Sequence, residues 1–185
     1  MGAGPSRRPL VLVAAVLVAF AVVGAACGWL WEWLWEPAPG VVVDHTWYPQ
    51  PWDTGQEAQF AGTGWYLTIA TAAGLVLGGL AAVLVRGREV LVLVTVALGS
   101  LVAGWLMRLV GLALAPPDPQ ELAARLPDRA PLPSGLQLWE PATWLGFPFG
   151  ALLALMLVYL LIGSAPRLPE PATAEPAATE SEPAS

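Results

Sequence analysis

The chain has 185 residues, of which 56% are hydrophobic and 12% charged, whereas a soluble domain carries roughly 25% charged residues. A water-soluble fold of this length cannot bury so much apolar surface, and the net charge of −6 without a basic patch excludes a nucleic-acid partner. The single cysteine excludes an internal disulfide and any cysteine-paired metal site.

Four long apolar runs predict four transmembrane helices, because each has the roughly 17–25 apolar residues that cross ~30 Å of hydrocarbon. A helix also satisfies its own backbone hydrogen bonds in lipid. The predicted fold class is an all-α membrane protein, a four-helix transmembrane bundle with two extracytoplasmic loops. In chain order the segments are a cytoplasmic N-terminus (1–9), the first span (10–35), an outer loop (36–64), the second span (65–85), a cytoplasmic loop (86–89), the third span (90–115), an outer loop (116–143), the fourth span (144–162) and a disordered cytoplasmic tail (163–185).

The first span follows Arg7 and Arg8 and contains Cys27, so a cleaved signal peptide and a lipoprotein signal acylated at Cys27 are alternatives to a retained helix. Gly24 occupies the position where a lipoprotein signal carries a branched or large apolar residue. The sequence after Cys27 also continues apolar and aromatic. We therefore predict a retained helix with an unmodified cysteine.

The first span ends in a run of tryptophan, leucine and glutamate at residues 29–36. A helix would arrange the larger side chains in three i, i+4 pairs: Trp29 with Trp33, Trp31 with Trp35, and Glu32 with Glu36. We interpret this run as an interfacial anchor, with its indoles among lipid headgroups. The alternative is an aromatic and acidic surface that binds a cation, a sugar or a partner helix through Trp29, Trp33, Glu32 and Glu36.

The placement of arginine predicts the orientation, because cytoplasmic segments carry the excess of basic residues. Five arginines lie on one side of the predicted spans and two lie in the opposite loops: Arg7, Arg8, Arg86, Arg88 and Arg167 against Arg125 and Arg129. Nine of the ten tryptophans lie at the opposite ends of the spans or in those loops, as an interfacial belt would. Both termini are therefore predicted to be cytoplasmic, in a bacterial inner (plasma) membrane.

Arg108 is the only ionisable residue well inside a predicted span, and at 1.5 Å per residue it lies roughly 10 Å below the outer end. A charge at the bilayer centre costs at least ~2.5 kcal/mol on insertion scales, so a partner is expected. Glu32 or Glu36, at a comparable depth, is one candidate partner. Snorkelling of the guanidinium to the outer headgroups is the other interpretation.

Small residues recur at four-residue steps and predict close approach of helices in lipid. They are Ala70, Gly74, Gly78 and Ala82 in the second span, Ser100 and Gly104 in the third, and Gly146 and Gly150 in the fourth. Packing inside one bundle is the first interpretation of these stripes, and dimerisation is the second.

The outer loops carry few signals of chemistry. Asp118, Pro119 and Glu121 have the pattern of an N-cap, a first-turn proline and a returning carboxylate, which predicts a short helix near 119–126. His45 among scattered carboxylates is a weak metal pattern, so we predict no metal and no cofactor. The sequence contains no catalytic motif, and we predict no catalytic residues.

Four segments of the chain resemble a family of small four-span actinobacterial membrane proteins. They are Gly40–Val43, residues 60–66, the Gly-Ser pair of the third span, and residues 148–152. The family has no established activity, so the resemblance implies location and architecture and no site residues.

Two hypotheses of function follow. The first is a non-enzymatic accessory or scaffold protein that lies in the lipid bilayer and meets a membrane or envelope protein partner. The second is a small solute transporter or ligand-binding membrane protein that uses Arg108 and the outer acids. A water-filled path needs more polar residues inside the spans than the five present, which are Thr68, Thr71, Thr95, Ser100 and Arg108.

Overall fold

The computed structural model describes residues 7–85 and 88–163, and this part of the chain is mostly helical. Its elements, in chain order, are α1 (Arg7–Leu34), β1 (Gly40–Val43), β2 (Thr46–Pro49), α2 (Trp52–Leu84), α3 (Glu89–Leu114), α4 (Pro119–Ala123) and α5 (Glu140–Gly163). Helices α1, α2, α3 and α5 are long and apolar enough to cross a membrane, and they cover the four predicted apolar runs. The predicted disordered tail lies outside the described residues from position 164 onward.

The four long helices form a ring, and α2 and α3 also touch across it. Helix α1 packs along α3, and α2 packs along α5, over the largest interfaces. Smaller interfaces of α3 with α5 and of α1 with α2 close the ring. We call the end where α1 begins and α2 ends the base of the bundle, and the opposite end the cap end.

Glycines at the two large interfaces let helix backbones touch. A Cβ added at Gly24 of α1 would lie 2.5 Å from the carbonyl oxygen of Ala103 on α3. One added at Gly74 of α2 would lie 2.5 Å from the carbonyl oxygen of Phe147 on α5. Because no side chain fits there unless the helices separate, the small-residue stripes serve packing within the bundle, which confirms the first interpretation.

Helix α2 begins at Trp52, well before the predicted start of the span at Trp65. Its 33 residues make about 50 Å of helix at 1.5 Å per residue, which exceeds the ~30 Å hydrocarbon thickness. The outer loop predicted over residues 36–64 therefore contains the first turns of α2, although the glycines, threonines and aspartate of residues 52–64 have poor helix propensity. The cap supports these turns, since a Cβ at Gly55 would collide with the ring of Pro49.

The segments beyond the bundle, residues 37–51 and 115–139, form a unit that we call the cap. Strands β1 and β2 make an antiparallel hairpin with Gly40 opposite Pro49. Its two turn residues, Asp44 and His45, have φ of 49° and 58°. Positive φ at both central positions matches the twist of a two-residue hairpin turn. The sequence analysis predicted a loop over this hairpin.

The two halves of the cap are joined by a ladder of backbone hydrogen bonds between residues 38–42 and 129–134. The donors and acceptors are Ser134 N to Ala38 O, Leu132 N to Gly40 O, Arg129 N to Val42 O and Val42 N to Ala130 O, at 2.8–3.1 Å. A small apolar core of Val42, Trp47 and Ala123 lies under the ladder. The predicted short helix is present as α4. The Asp118 carboxylate accepts a hydrogen bond from the backbone N–H of Gln120 at 2.9 Å.

The backbone contacts predict opposite effects at two adjacent glycines of α2. Gly78→Ala should lower the unfolding free energy of the detergent-solubilised protein by about 1–3 kcal/mol, because the new methyl meets the Ala151 backbone. Gly79→Ala should be neutral or raise stability by about 0.5–1 kcal/mol, because its methyl would meet only the Ala154 side chain at 3.9 Å. Denaturant titration of both variants checks this. A loss of oligomer with unchanged monomer stability in Gly78→Ala would favour dimerisation instead.

Candidate functional site at the cap end

A buried aromatic pair ties three helices together beneath the cap. Trp31 of α1 and Tyr66 of α2 are fully buried and meet edge to face, with ring centroids 5.1 Å apart and an interplanar angle of 80°. The Trp31 indole N–H donates to the carbonyl oxygen of Gly62 at 2.7 Å. The Tyr66 hydroxyl donates to the carbonyl oxygen of Gly104 on α3, also at 2.7 Å. Each polar tip of the pair therefore has a backbone partner, as buried Trp and Tyr require.

The fourth helix reaches the same point because position 104 is glycine. A Cβ there would lie 2.5 Å from the carbonyl oxygen of Thr143 on α5. That carbonyl also lies 3.5 Å from the Tyr66 hydroxyl. The Tyr66 hydroxyl thus marks the meeting point of α2, α3 and α5, and Trp31 adds α1. The arrangement closes the bundle interior directly below the cap.

The tryptophan run at the end of α1 has two different faces. Trp29 and Trp33 are exposed and stack, with ring centroids 6.3 Å apart and an interplanar angle of 11°, which confirms the predicted pair. Trp31 and Trp35 are buried in the bundle, so the prediction that the indoles of the run lie among headgroups is wrong for these two. The i, i+4 pattern cannot distinguish these faces, because both repeat with the period of the helix.

Arg108 forms an ion pair with a residue that the sequence analysis did not consider. Its Nη2 atom lies 3.5 Å from Oε1 of Glu140, the first residue of α5. The pair is open to the surroundings, with 38% of the Arg108 side chain and 81% of the Glu140 side chain exposed. The predicted pairing with Glu32 or Glu36 is wrong, since neither has an ion pair within the described chain.

The ring order of the helices explains this choice of partner. Helix α3 packs against α1 on one side and α5 on the other. Gly104 faces α5, and Arg108 lies four residues later on the same face. Glu140 was assigned to a loop because the fourth span was predicted to start at Trp144.

Two half-exposed tryptophans lie one turn from the members of this pair along the same two helices. Trp105 precedes Arg108 by one turn and Trp144 follows Glu140 by one turn, and both indoles are about half exposed. Together the four side chains offer a cation, an anion and two aromatic faces to one side of α3 and α5. Over residues 7–85 and 88–163, no three His, Cys, Asp or Glu side chains converge as metal ligands.

A second recess lies beside the projecting turns of α2. An open cleft of about 550 Å³ is lined by Phe60 and Thr63 of α2 and by residues 137–139. The Trp139 backbone amide donates to the Thr63 hydroxyl at 3.3 Å, which connects the two walls. Phe60 is one of the most exposed apolar side chains described. No sequence pattern indicated this cleft, because it depends on the helical path of residues 52–64.

The comparisons with known proteins find no relative of the chain. Neither the models of known families, nor the curated proteins, nor the solved structures match the chain. The resemblance to small four-span actinobacterial membrane proteins therefore stays a prediction. What the site does must be argued from its own residues.

The ion pair predicts which charge-reversed variants should restore stability to one another. Arg108→Glu should destabilise the protein by like-charge repulsion with Glu140, and adding Glu140→Arg should restore most of the loss. Adding Glu32→Arg to Arg108→Glu should restore nothing. Because the pair is exposed, the coupling energy from a double-mutant cycle should not exceed about 1 kcal/mol. Denaturant titration measures both combinations, and rescue by Glu32→Arg alone would contradict the assignment.

Proposed function

We propose that the protein is a multi-pass membrane protein of a bacterial envelope, a non-enzymatic accessory or scaffold subunit whose cap meets a partner protein outside the membrane. Its four apolar helices support membrane insertion, because each is long enough to cross the hydrocarbon. The excess of arginines at the start of α1, between α2 and α3, and after α5 supports a cytoplasmic base. The cap then faces the outer side.

The observation that carries the proposal is the exposure of aromatic side chains at the cap end, which the proposed insertion places outside the lipid. Trp52 is 63% exposed, and it lies roughly 20 Å along α2 from Trp65, beyond the headgroup layer. Tyr48 and Val43 of the hairpin are also exposed on the cap. Contiguous apolar surface in water typically marks a site of protein interaction. Tryptophan and tyrosine are also the residues that dominate binding energy at interfaces.

The charge of the same end indicates the character of the partner. Nine acidic residues but only two arginines lie in the outer loops and at the cap-side ends of the helices, Arg108 aside. A surface of complementary sign speeds association and selects against acidic competitors. We therefore propose a partner with a basic surface that surrounds an apolar patch.

The use of polar side chains inside the bundle supports a scaffold over a transporter. The Thr95 hydroxyl donates to the Leu91 carbonyl at 2.7 Å, and the Ser100 hydroxyl donates to the Ala97 carbonyl at 2.8 Å, each within α3. Both side chains are buried. Hydroxyls bonded to their own helix offer little to a hydrated solute. The alternative of a solute transporter that uses Arg108 and the outer acids is therefore less well supported.

The proposed orientation predicts which positions a membrane-impermeant maleimide reaches. In intact cells Asp53→Cys, on the projecting part of α2, should be labelled. Arg88→Cys, at the base, should be labelled only after the membrane is permeabilised. The unaltered protein is the control, because its only cysteine, Cys27, is buried. Labelling of Arg88→Cys but not of Asp53→Cys in intact cells would reverse the orientation.

The scaffold role predicts a protein neighbour at the cap. A photo-crosslinking amino acid at position 52 should give one discrete protein adduct in intact cells, because the exposed Trp52 side chain belongs to the proposed interface. The same amino acid at position 98 is the matched control, since Leu98 is exposed in the middle of α3 and should contact lipid. Immunoblotting detects the adduct. Equal patterns at the two positions would reject the cap as a docking surface.

A further inference from the structure

An apolar groove opens between helices at the base of the bundle. It consists of two adjoining cavities of about 20 Å³ and 240 Å³. The narrow cavity lies between α1, α2 and α3, and the wide one lies between α1 and α2. Both are bounded by the same four side chains, which are Leu12, Val16, Ala81 and Val85. The groove therefore runs as one slot from the base toward Phe20.

The walls of the groove are apolar along its length, and charge enters only at its mouth. From Val85 to Leu77 the slot follows eight residues of α2, about 12 Å of helix. The hydroxyl of Thr95, the polar group of the inner wall, is already bonded to the Leu91 carbonyl. Arg88 is the charged side chain among the described lining residues. The groove thus joins an apolar slot to a single cation.

We propose that this groove binds one acyl chain of an anionic phospholipid whose phosphate contacts Arg88. The inference rests on the proposed membrane insertion and cytoplasmic base. Lipid tails are as apolar as the groove, so the chain gains packing but no hydrophobic free energy by entering it. Selectivity must therefore come from the headgroup. Basic pockets between transmembrane helices on the cytoplasmic side bind anionic headgroups for this reason.

The charge around the mouth favours an anion. Glu89 lies next to Arg88 and opposes it. Three further arginines lie near the same end in the sequence, at positions 7, 8 and 86, and α1 begins at Arg7. With these arginines the sequence around the mouth stays net positive despite Glu89, so Glu89 does not cancel the attraction of Arg88 for an anionic headgroup.

The test uses the full chain reconstituted into vesicles of equal parts phosphatidylglycerol and phosphatidylcholine. After extraction in mild detergent, native mass spectrometry counts the lipids retained per protein. The unaltered chain should retain phosphatidylglycerol about fivefold over phosphatidylcholine, the ratio expected from one basic residue near an anionic headgroup. Arg88→Gln should remove this preference, and Arg125→Gln, in the cap, should keep it.

A second pair of variants tests the slot itself. Ala19 lines the wide cavity and is exposed, so Ala19→Phe fills the groove without entering the bundle core. It should abolish retention of both lipids. Ala14→Phe adds the same side chain at an exposed position of α1 outside the groove and should leave retention unchanged.

The outcomes distinguish a failure of the proposed lipid site from a failure of the proposed membrane insertion. Carbonate extraction of the vesicles first reports whether the chain is inserted. An inserted chain that retains no phosphatidylglycerol in excess, or whose retention is the same in Ala19→Phe and Ala14→Phe, overturns the lipid site alone. A chain that carbonate removes overturns both proposals.

Discussion

Direct contact between helix backbones is the constraint on which the rest of this structure depends. In lipid there is no hydrophobic force between helices, so association relies on close packing and on interhelical hydrogen bonds. Gly24 and Gly28 bring α1 against α3, and Gly74 and Gly78 bring α2 against α5. Each interface leaves no room for a side chain at these positions. The two helix pairs are therefore held at fixed distance and register.

Because the two helix pairs have a fixed register, the polar groups that join one pair to the other also have fixed positions. Tyr66 reaches the Gly104 carbonyl only because α2, α3 and α5 meet there without intervening side chains. Trp31 adds α1 through the Gly62 carbonyl. The chain leaves α1 and α3 just above this junction and enters the cap. Its two halves are then joined by backbone hydrogen bonds from residues 38–42 to 129–134.

The two ends of the molecule expose different kinds of side chain, and the bundle interior between them has few polar side chains. The cap end combines acidic residues with exposed aromatic rings such as that of Trp52, whereas the base combines arginines with an apolar groove. The hydroxyls of Thr95 and Ser100 inside the bundle donate hydrogen bonds to backbone carbonyls of their own helix. This division is consistent with the proposed roles, a lipid site at the base and a protein partner at the cap.

The sequence by itself determined the features that depend on local composition and spacing. Apolar runs located the four long helices, four-residue steps of small side chains indicated the close interfaces, and Asp118 with its neighbours predicted α4. Only the tertiary structure decided which face of a helix is buried. Trp31 and Trp33 have the same local context, yet one lies in the core and the other is exposed.

The same physical reason explains the partner of Arg108 and the start of α2. A side chain on another helix has no local signal of contact, because helical periodicity reports only neighbours on the same helix. Glu140 lies beside Arg108 because α5 packs on the α3 face that carries Gly104. The first turns of α2 are helical because the hairpin supports them at Gly55. The ion pair of Arg108 depends on a contact between distant segments, and the start of α2 depends on the fold of the hairpin before it, and helical periodicity reports neither.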